Sequence, residues 1–268
     1  MSRCGEMEAM WTALVIVVAS VAVTVAACLL FGRSRVHEQA DDRDADSRGF
    51  LGAVVSGLFI VALAFYMVIV WEDSGTAEDN AAREAASVAD AYWQTAVMPQ
   101  PQRDRIRSLL REYPKLVADE EWERLARGES DERTTETLNS LHTEVLSLPA
   151  TPDQVKSARE RVLERLREIT DLRRDRLDQA GGLDNTGKVM LIGTLVGAVG
   201  MIVFPLLIGF TARLRHVVQM GVTAGVLAFV CALCLGMTHP FLGVLRVQPE
   251  AFTSVTEELA GIPAEHDR

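Results

Sequence analysis

Four stretches of the chain carry no charged side chain: residues 9–32, 49–71, 189–212 and 217–245. Each exceeds the roughly 20 residues that a helix needs to cross a bilayer. Their interiors of Val, Ala, Leu, Ile and Gly have the composition of membrane spans. A buried helix of a soluble protein rarely runs so far without a charge, so the pattern predicts four spans. The first two are joined by the polar GRSRVHEQADDRDADSR. The last two are joined by TARLRH, short enough to force a tight antiparallel hairpin. The first span could be mistaken for a signal peptide, since Val25-Ala26-Ala27-Cys28 looks like a lipoprotein cleavage box. Its leader MSRCGEMEAM carries one Arg and two Glu, and the apolar run continues through Leu29, Leu30 and Phe31. A retained span is the expectation.

Between the hairpins the periodicity is helical. Apolar positions recur every three or four residues, and no segment alternates as a strand. One helix enters from the second span and ends at Pro99 and Pro101. A second carries Ile106, Leu109, Leu110 and Tyr113 and is bent or ended near Pro114. DEEWERLARG continues as helix, TTETLNSLHTEVLSL forms another, and a last one starts at Thr151-Pro152-Asp153-Gln154. There Thr151 suits a cap, Pro152 the first helical position and Gln154 the residue that bonds back. This helix presents Val155, Val162, Leu166 and Ile169 on one face and stops at Gly181-Gly182.

The second span gives no sign of stopping at its polar edge. Small or apolar positions continue past Trp71 at Ala77, Ala81, Ala85, Val88 or Ala89, Tyr92 and Ala96, so one long helix joins span to domain. Glu72, Asp73, Glu78 and Asp79 form an acidic collar where the apolar run ends. The expected organisation is all-α: a first transmembrane hairpin at 1–71, a helical extramembrane domain at 72–188, a second hairpin at 189–245 and a polar tail at 246–268. Small-residue stripes mark the spans: Gly52 and Ser56; Gly193, Gly197 and Gly200; Gly221, Gly225, Ala228, Ala232 and Gly236. Such stripes let helix backbones approach closely in lipid, within one chain or between copies.

Charge narrows the functional classes. The net charge is −10, and residues 72–188 hold 18 basic and 25 acidic side chains, a balance of −7. No basic stripe stands clear of acidic neighbours, which argues against nucleic acid as a partner. Arginine supplies nearly all the positive charge, and nothing in the sequence ties it to a ligand. The loop arginines Arg33, Arg35, Arg43, Arg48, Arg213 and Arg215 pull both loops toward the cytoplasm. Arg173, Arg174, Arg176 and Lys188, just before the third span, pull the other way, so the side faced by the domain stays open.

Candidate chemistry is sparse. Cys231 and Cys234 form a CxxC inside an apolar run, without further ligands, and read as packing residues rather than a redox or metal pair. The five histidines are scattered. Glu120, Glu121 and Glu123 read as the solvated face of a charged helix. The sequence therefore offers no catalytic residue, cofactor site or metal site, and an enzyme is not the expected class. The span interiors hold no ionisable residue of the kind a proton or ion pump uses; His239 lies only at the end of the fourth span, beside Pro240. A pore with an apolar constriction remains compatible. The second span supplies its candidate lining: Phe59, Phe65, Tyr66 and Ile69, with Trp71 and Glu72 at the mouth. Taken singly, such side chains more often face lipid or pack between helices.

Three stretches, WEDSGTAEDNAAREAASVADAYW, REYPKLVADEEWERL and THPFLGVLRVQPEAF, occur in the order seen in the bestrophin-like family of bacterial membrane proteins. The chain resembles that family at Trp71, Glu72, Glu84, Ala85, Tyr113, Glu121, Trp122, Pro240, Phe241, Gly243, Pro249 and Phe252. It departs at Thr238, where an acidic residue is expected before the Pro-Phe pair. The resemblance implies four spans with a helical region between two hairpins. Through the more distant true bestrophins, it implies a homo-oligomeric anion channel of the cell membrane. Their calcium-binding acidic cluster has no counterpart here, so calcium gating is not implied. Glu84, Tyr113, Glu121, Trp122, Pro240, Phe241 and Gly243 are left as family positions without a role. The reading from sequence is thus a multi-pass protein in a lipid bilayer, forming an oligomeric pore for an inorganic anion. The alternative is a non-conducting scaffold or signalling protein whose helical domain binds a protein partner.

Overall fold

The computed structural model describes residues 15, 18–20, 22–27, 42–125, 127–149, 151–208, 214–242 and 246–262. All regular structure among them is helical: α1 (Asp42–Gln94), α2 (Gln102–Leu116), α3 (Trp122–Leu125), α4 (Glu132–Leu146), α5 (Asp153–Ala180), α6 (Asn185–Ile208), α7 (Leu214–Gly236) and α8 (Glu250–Ala260). A π turn, Val117–Glu121, joins α2 to α3. Among the described residues, three helices, α1, α6 and α7, contain stretches long and apolar enough to cross a membrane. The described residues of the first predicted span are also helical, while most of that span lies outside the described residues.

The chain divides into two compact units. One comprises residues 1–72, 183–238 and 243–245; the other comprises 73–182, 239–242 and 246–268. As the residue spacing predicts, α1 is continuous through Glu72, running for 53 residues, but it ends at Gln94, and Ala96, the last position of the predicted pattern, lies beyond it and is exposed.

In the first unit, the start of α1 packs against α6 in antiparallel register. Phe204 comes within 3.0 Å of where a Cβ on Gly52 would stand, and Phe59 within 3.1 Å of one on Gly197. Between them the Ser56 hydroxyl reaches Met201 Sδ at 3.2 Å. The small residues on these two helices are therefore used within the chain, allowing backbones to approach where aromatic rings fill the groove. Gly193 and Gly57 meet nothing within 4 Å. Along α7, Leu227 joins Phe59 and Cys234 joins Tyr66, so α7 runs parallel to α1 and antiparallel to α6. Asp184 caps α6, its Oδ1 accepting the Gly187 N–H at 2.6 Å. That bond chiefly holds the Asp184 carboxyl below its usual range.

In the second unit, α1 presents Ala77, Ala81, Ala85, Val88 and Tyr92, all buried. They pack with Ile106 and Leu110 of α2, Leu141 and Val145 of α4, Val162, Leu166 and Ile169 of α5, and Phe252 and Leu259 of α8. The alanines let neighbouring helices come close, and the larger residues farther along fill the wider space. Helix α5 lies antiparallel to α1. Arg161 bonds Gln94 at 2.6 Å, Arg165 approaches Asp90 at 3.9 Å, and Arg83 approaches Glu168 at 3.8 Å. Residues 246–262 contribute Phe252, Val255 and Leu259 to this core, so α8 is part of the helical domain.

Near Pro114, as expected, α2 ends: Pro114 sits in its last turn, and after Leu116 the chain passes into the π turn. One local expectation shifts. Helix α5 begins one residue later than its capping signature suggests. Pro152 is the cap position and no side chain caps it. Helix α4 has the clearer cap: Asp131 Oδ2 accepts the Thr134 N–H at 2.9 Å. Burial works against the Asp131 charge, yet the Thr134 bonds, Arg124 and Arg133 outweigh it and hold this carboxyl below the usual range. At the end of α5, Gly182 adopts φ +82°. The His239 ring stands 2.4 Å from where a Cβ there would lie, so both conformation and contact require glycine.

Candidate functional site

Four buried charges meet in the domain core, drawn from three helical segments. Glu84 lies on the inward face of α1, one residue before the buried Ala85. Glu121 closes the π turn, and Arg173 and Arg176 stand three apart on α5, beside Ile169 and Leu172. Glu84, Glu121 and Arg176 have zero exposure and Arg173 has 7%. Isolated buried charges are costly, so their pairing decides whether the core is stable.

The pairing is dense. Arg176 Nε donates to Glu84 Oε2 at 3.0 Å, and its Nη2 donates to Glu84 Oε1 at 2.9 Å and Glu121 Oε2 at 3.2 Å. Arg173 Nε donates to Glu121 Oε1 at 3.1 Å, while its Nη2 also reaches Thr135 Oγ1 at 2.9 Å and the Asp131 carbonyl at 3.3 Å. The Tyr113 hydroxyl donates to Glu84 Oε1 at 2.6 Å. Two carboxylates thus face two guanidiniums, and the forked geometry explains arginine rather than lysine at both α5 positions. Arg176 Nη1 makes no hydrogen bond among the described residues. The guanidinium carbon instead lies 5.5 Å from the Trp122 ring centre and 5.3 Å from that of Phe252. Such ring faces attract a desolvated cation.

These surroundings set the ionisation. Burial disfavours the Arg176 charge, but Glu84 and Glu121 outweigh it and hold its pKa above the ordinary arginine value. Burial, then the neighbouring Glu84 carboxylate, push the Tyr113 phenol well above its usual range, against the opposing pull of Arg176. Tyr113 is therefore a permanent donor to Glu84 at neutral pH.

The structure gathers most of the family positions into this one place. Glu84, Tyr113, Glu121 and Trp122 belong to the network or its aromatic wall. Trp122 packs edge-on against Phe241 at 5.3 Å, and its indole N–H donates to the Val247 carbonyl at 3.1 Å. Pro240 accepts the Val247 N–H at 2.8 Å through its carbonyl. Gly243 lies outside the described residues. Thr238, where the family pattern is broken, turns its hydroxyl back onto the Leu235 carbonyl at 2.9 Å.

One expectation is overturned here. Glu121 is not on a solvated face; the π turn brings it into the core next to Trp122. Glu120 stays outside and pairs with Arg133. Arg173 and Arg176, legible in the sequence only as positive charges before the third span, are committed to buried carboxylates.

The residues proposed for a pore separate onto two sides of α1. Phe59 and Tyr66 are buried within the first unit, the Tyr66 hydroxyl donating to the Cys234 carbonyl. Ile69 is half-buried. Phe65 is 59% exposed, Trp71 is 77% exposed and Glu72 is exposed. Leu51, Val54, Leu58, Val61, Phe65, Val68 and Glu72 follow at alternating intervals of three and four, one exposed stripe along the helix.

The model of the bestrophin-like domain family matches residues 18–252. No curated protein and no solved structure matches the chain.

Proposed function

The chain belongs to the bestrophin-like family, and from that premise we propose that it is a homo-oligomeric anion channel of the cell membrane. Four spans in two hairpins carry it, with the helical domain outside the bilayer. The single observation that supports the reading best is the exposed stripe of α1 ending at Glu72. A face of seven apolar or acidic positions at alternating spacings of three and four suits contact with copies of itself around an axis. Phe65 would narrow such a pore, and Trp71 and Glu72 would stand at its mouth. Phe59, Tyr66 and Ile69 would then support the lining helix from behind, against α6 and α7.

Glu72 gives the proposal its sharpest consequence. A ring of carboxylates at the mouth repels anions, so it acts as a brake on anion entry. Purified protein in liposomes is expected to release chloride, and Glu72→Gln to release it faster. Tight vesicles containing correctly assembled oligomer would overturn the channel reading. A monomeric mass together with tight vesicles would favour the scaffold reading instead.

A further inference from the structure

Of the buried side chains described for α1 in the first unit, Phe59, Tyr66 and Val70, Tyr66 alone carries a polar group. Its ring has zero exposure and packs in a cluster with Val70, Leu183 and Cys234. The hydroxyl donates to the Cys234 carbonyl of α7. That carbonyl is open to a side chain because α7 stops at Gly236, and the last carbonyls of a helix lack the N–H groups of a following turn. Among the described residues, the Met237 N–H divides between the Leu233 carbonyl at 3.1 Å and the Cys234 carbonyl at 3.3 Å. The Thr238 N–H turns to Leu235. In apolar surroundings a carbonyl without a good donor is costly, and Tyr66 supplies that donor from another helix.

Phe65 is the residue next to it. Successive side chains of a helix point about 100° apart, so fixing Tyr66 against α7 also sets the direction of Phe65. Phe65 accordingly stands on the exposed stripe. We propose that Tyr66 is a positioning residue: by capping the end of α7, its hydroxyl holds α1 at the rotation that keeps Phe65 on the exposed face. The consequence for conduction rests on the reading in which Phe65 narrows a pore; the rotation itself does not.

The test removes one hydroxyl. Tyr66→Phe keeps the ring, so the apolar packing stays. The background has Cys4, Cys28, Cys231 and Cys234 replaced by alanine, which leaves the backbone carbonyl at 234 in place. On it, Phe65→Cys reports exposure through its rate of reaction with a thiol reagent in detergent. Adding Tyr66→Phe is expected to slow that reaction severalfold, because α1 freed from α7 rotates and position 65 spends time turned inward. Val196→Cys, on the exposed face of α6, controls for general loosening and should react at the same rate with and without the hydroxyl. A rate at 65 that is unchanged or raised, or a change that appears equally at 196, overturns the proposal. Release from liposomes adds the functional arm. Tyr66→Phe should shift the ratio of chloride to methanesulfonate release in the direction that Phe65→Ala shifts it, at unchanged assembled mass. A lowered Tm with an unaltered ratio would reduce Tyr66 to a stabilising contact and overturn its positioning role. Tight wild-type vesicles would sink the channel reading alone, and the labelling rates would still decide what Tyr66 does.

Discussion

At the scale of single residues, Arg176 is the centre of the helical domain. Replacing it with Met leaves Glu84 and Glu121 facing Arg173 alone, one uncompensated charge in a region without solvent. Breaking a buried pair in this way costs about 3–5 kcal/mol. Adding Glu84→Gln restores neutrality while keeping an acceptor for Tyr113, so the double variant should melt above Arg176→Met. Trp122 fluorescence reports on the site directly, because its ring flanks the guanidinium. Strictly additive losses would show that the two residues are energetically independent. Tyr113 makes a second prediction. Its folded pKa lies above the usual value of 10. The stability linked to its proton is therefore complete below that pH and lost as pH rises toward the folded value. Above pH 10 wild type should lose up to about 1.4 kcal/mol more per pH unit than Tyr113→Phe. Parallel Tm profiles of the two proteins between pH 8 and 11 would refute this. None of this network was legible as a network. Periodicity counts a charge as an outward position, so Glu121 looked like its neighbours Glu120 and Glu123. The available hint was on α5, where Arg173 and Arg176 follow the same face as Ile169 and Leu172.

At the scale of elements, the sequence was far more informative, because helices declare themselves by spacing. The continuation of α1 past Trp71 followed from Ala77, Ala81, Ala85 and Val88, and those residues are buried as the pattern required. What spacing could not settle was which glycines serve packing inside the chain, since a small residue has the same signature on either side of a helix. The structure separates them. A side chain at Gly197 would meet Phe59 at 3.1 Å, whereas one at Gly193, one turn earlier on α6, meets nothing within 4 Å. Gly197→Leu should therefore loosen α1 from α6 and lower the Tm of the purified protein by several degrees. Gly193→Leu should leave the Tm of dissociated protomers unchanged and, where copies touch at that face, lower the assembled mass. Equal destabilisation of protomers by both substitutions would contradict the register described here.

At the scale of the whole molecule, the place of α8 constrains topology more than any loop charge does. The Leu259 carbonyl is held by Arg111 of α2, and Phe252 lines the same core as Trp122. Residues on either side of α6 and α7 in sequence thus belong to one folded unit. Two helices long enough to cross a membrane lie between them. A chain that leaves this unit and returns to it must cross an even number of times, which a hairpin of α6 and α7 satisfies. The proposed two-hairpin arrangement would put Ser2 on the side of the domain and Ser34 on the opposite side. Single cysteines introduced at Ser2, Ser34, Ser130 and Ser254, after replacement of Cys4, Cys28, Cys231 and Cys234, test the arrangement in sealed vesicles. Ser130 and Ser254 are both exposed on the helical domain. A membrane-impermeant thiol reagent should label the cysteines at positions 2, 130 and 254 from one face and that at 34 only from the other. Labelling at 34 and 130 from the same face would mean that the first apolar stretch or the second does not cross. Labelling at 130 and 254 from opposite faces would break the second hairpin, and with it the oligomeric pore built on α1.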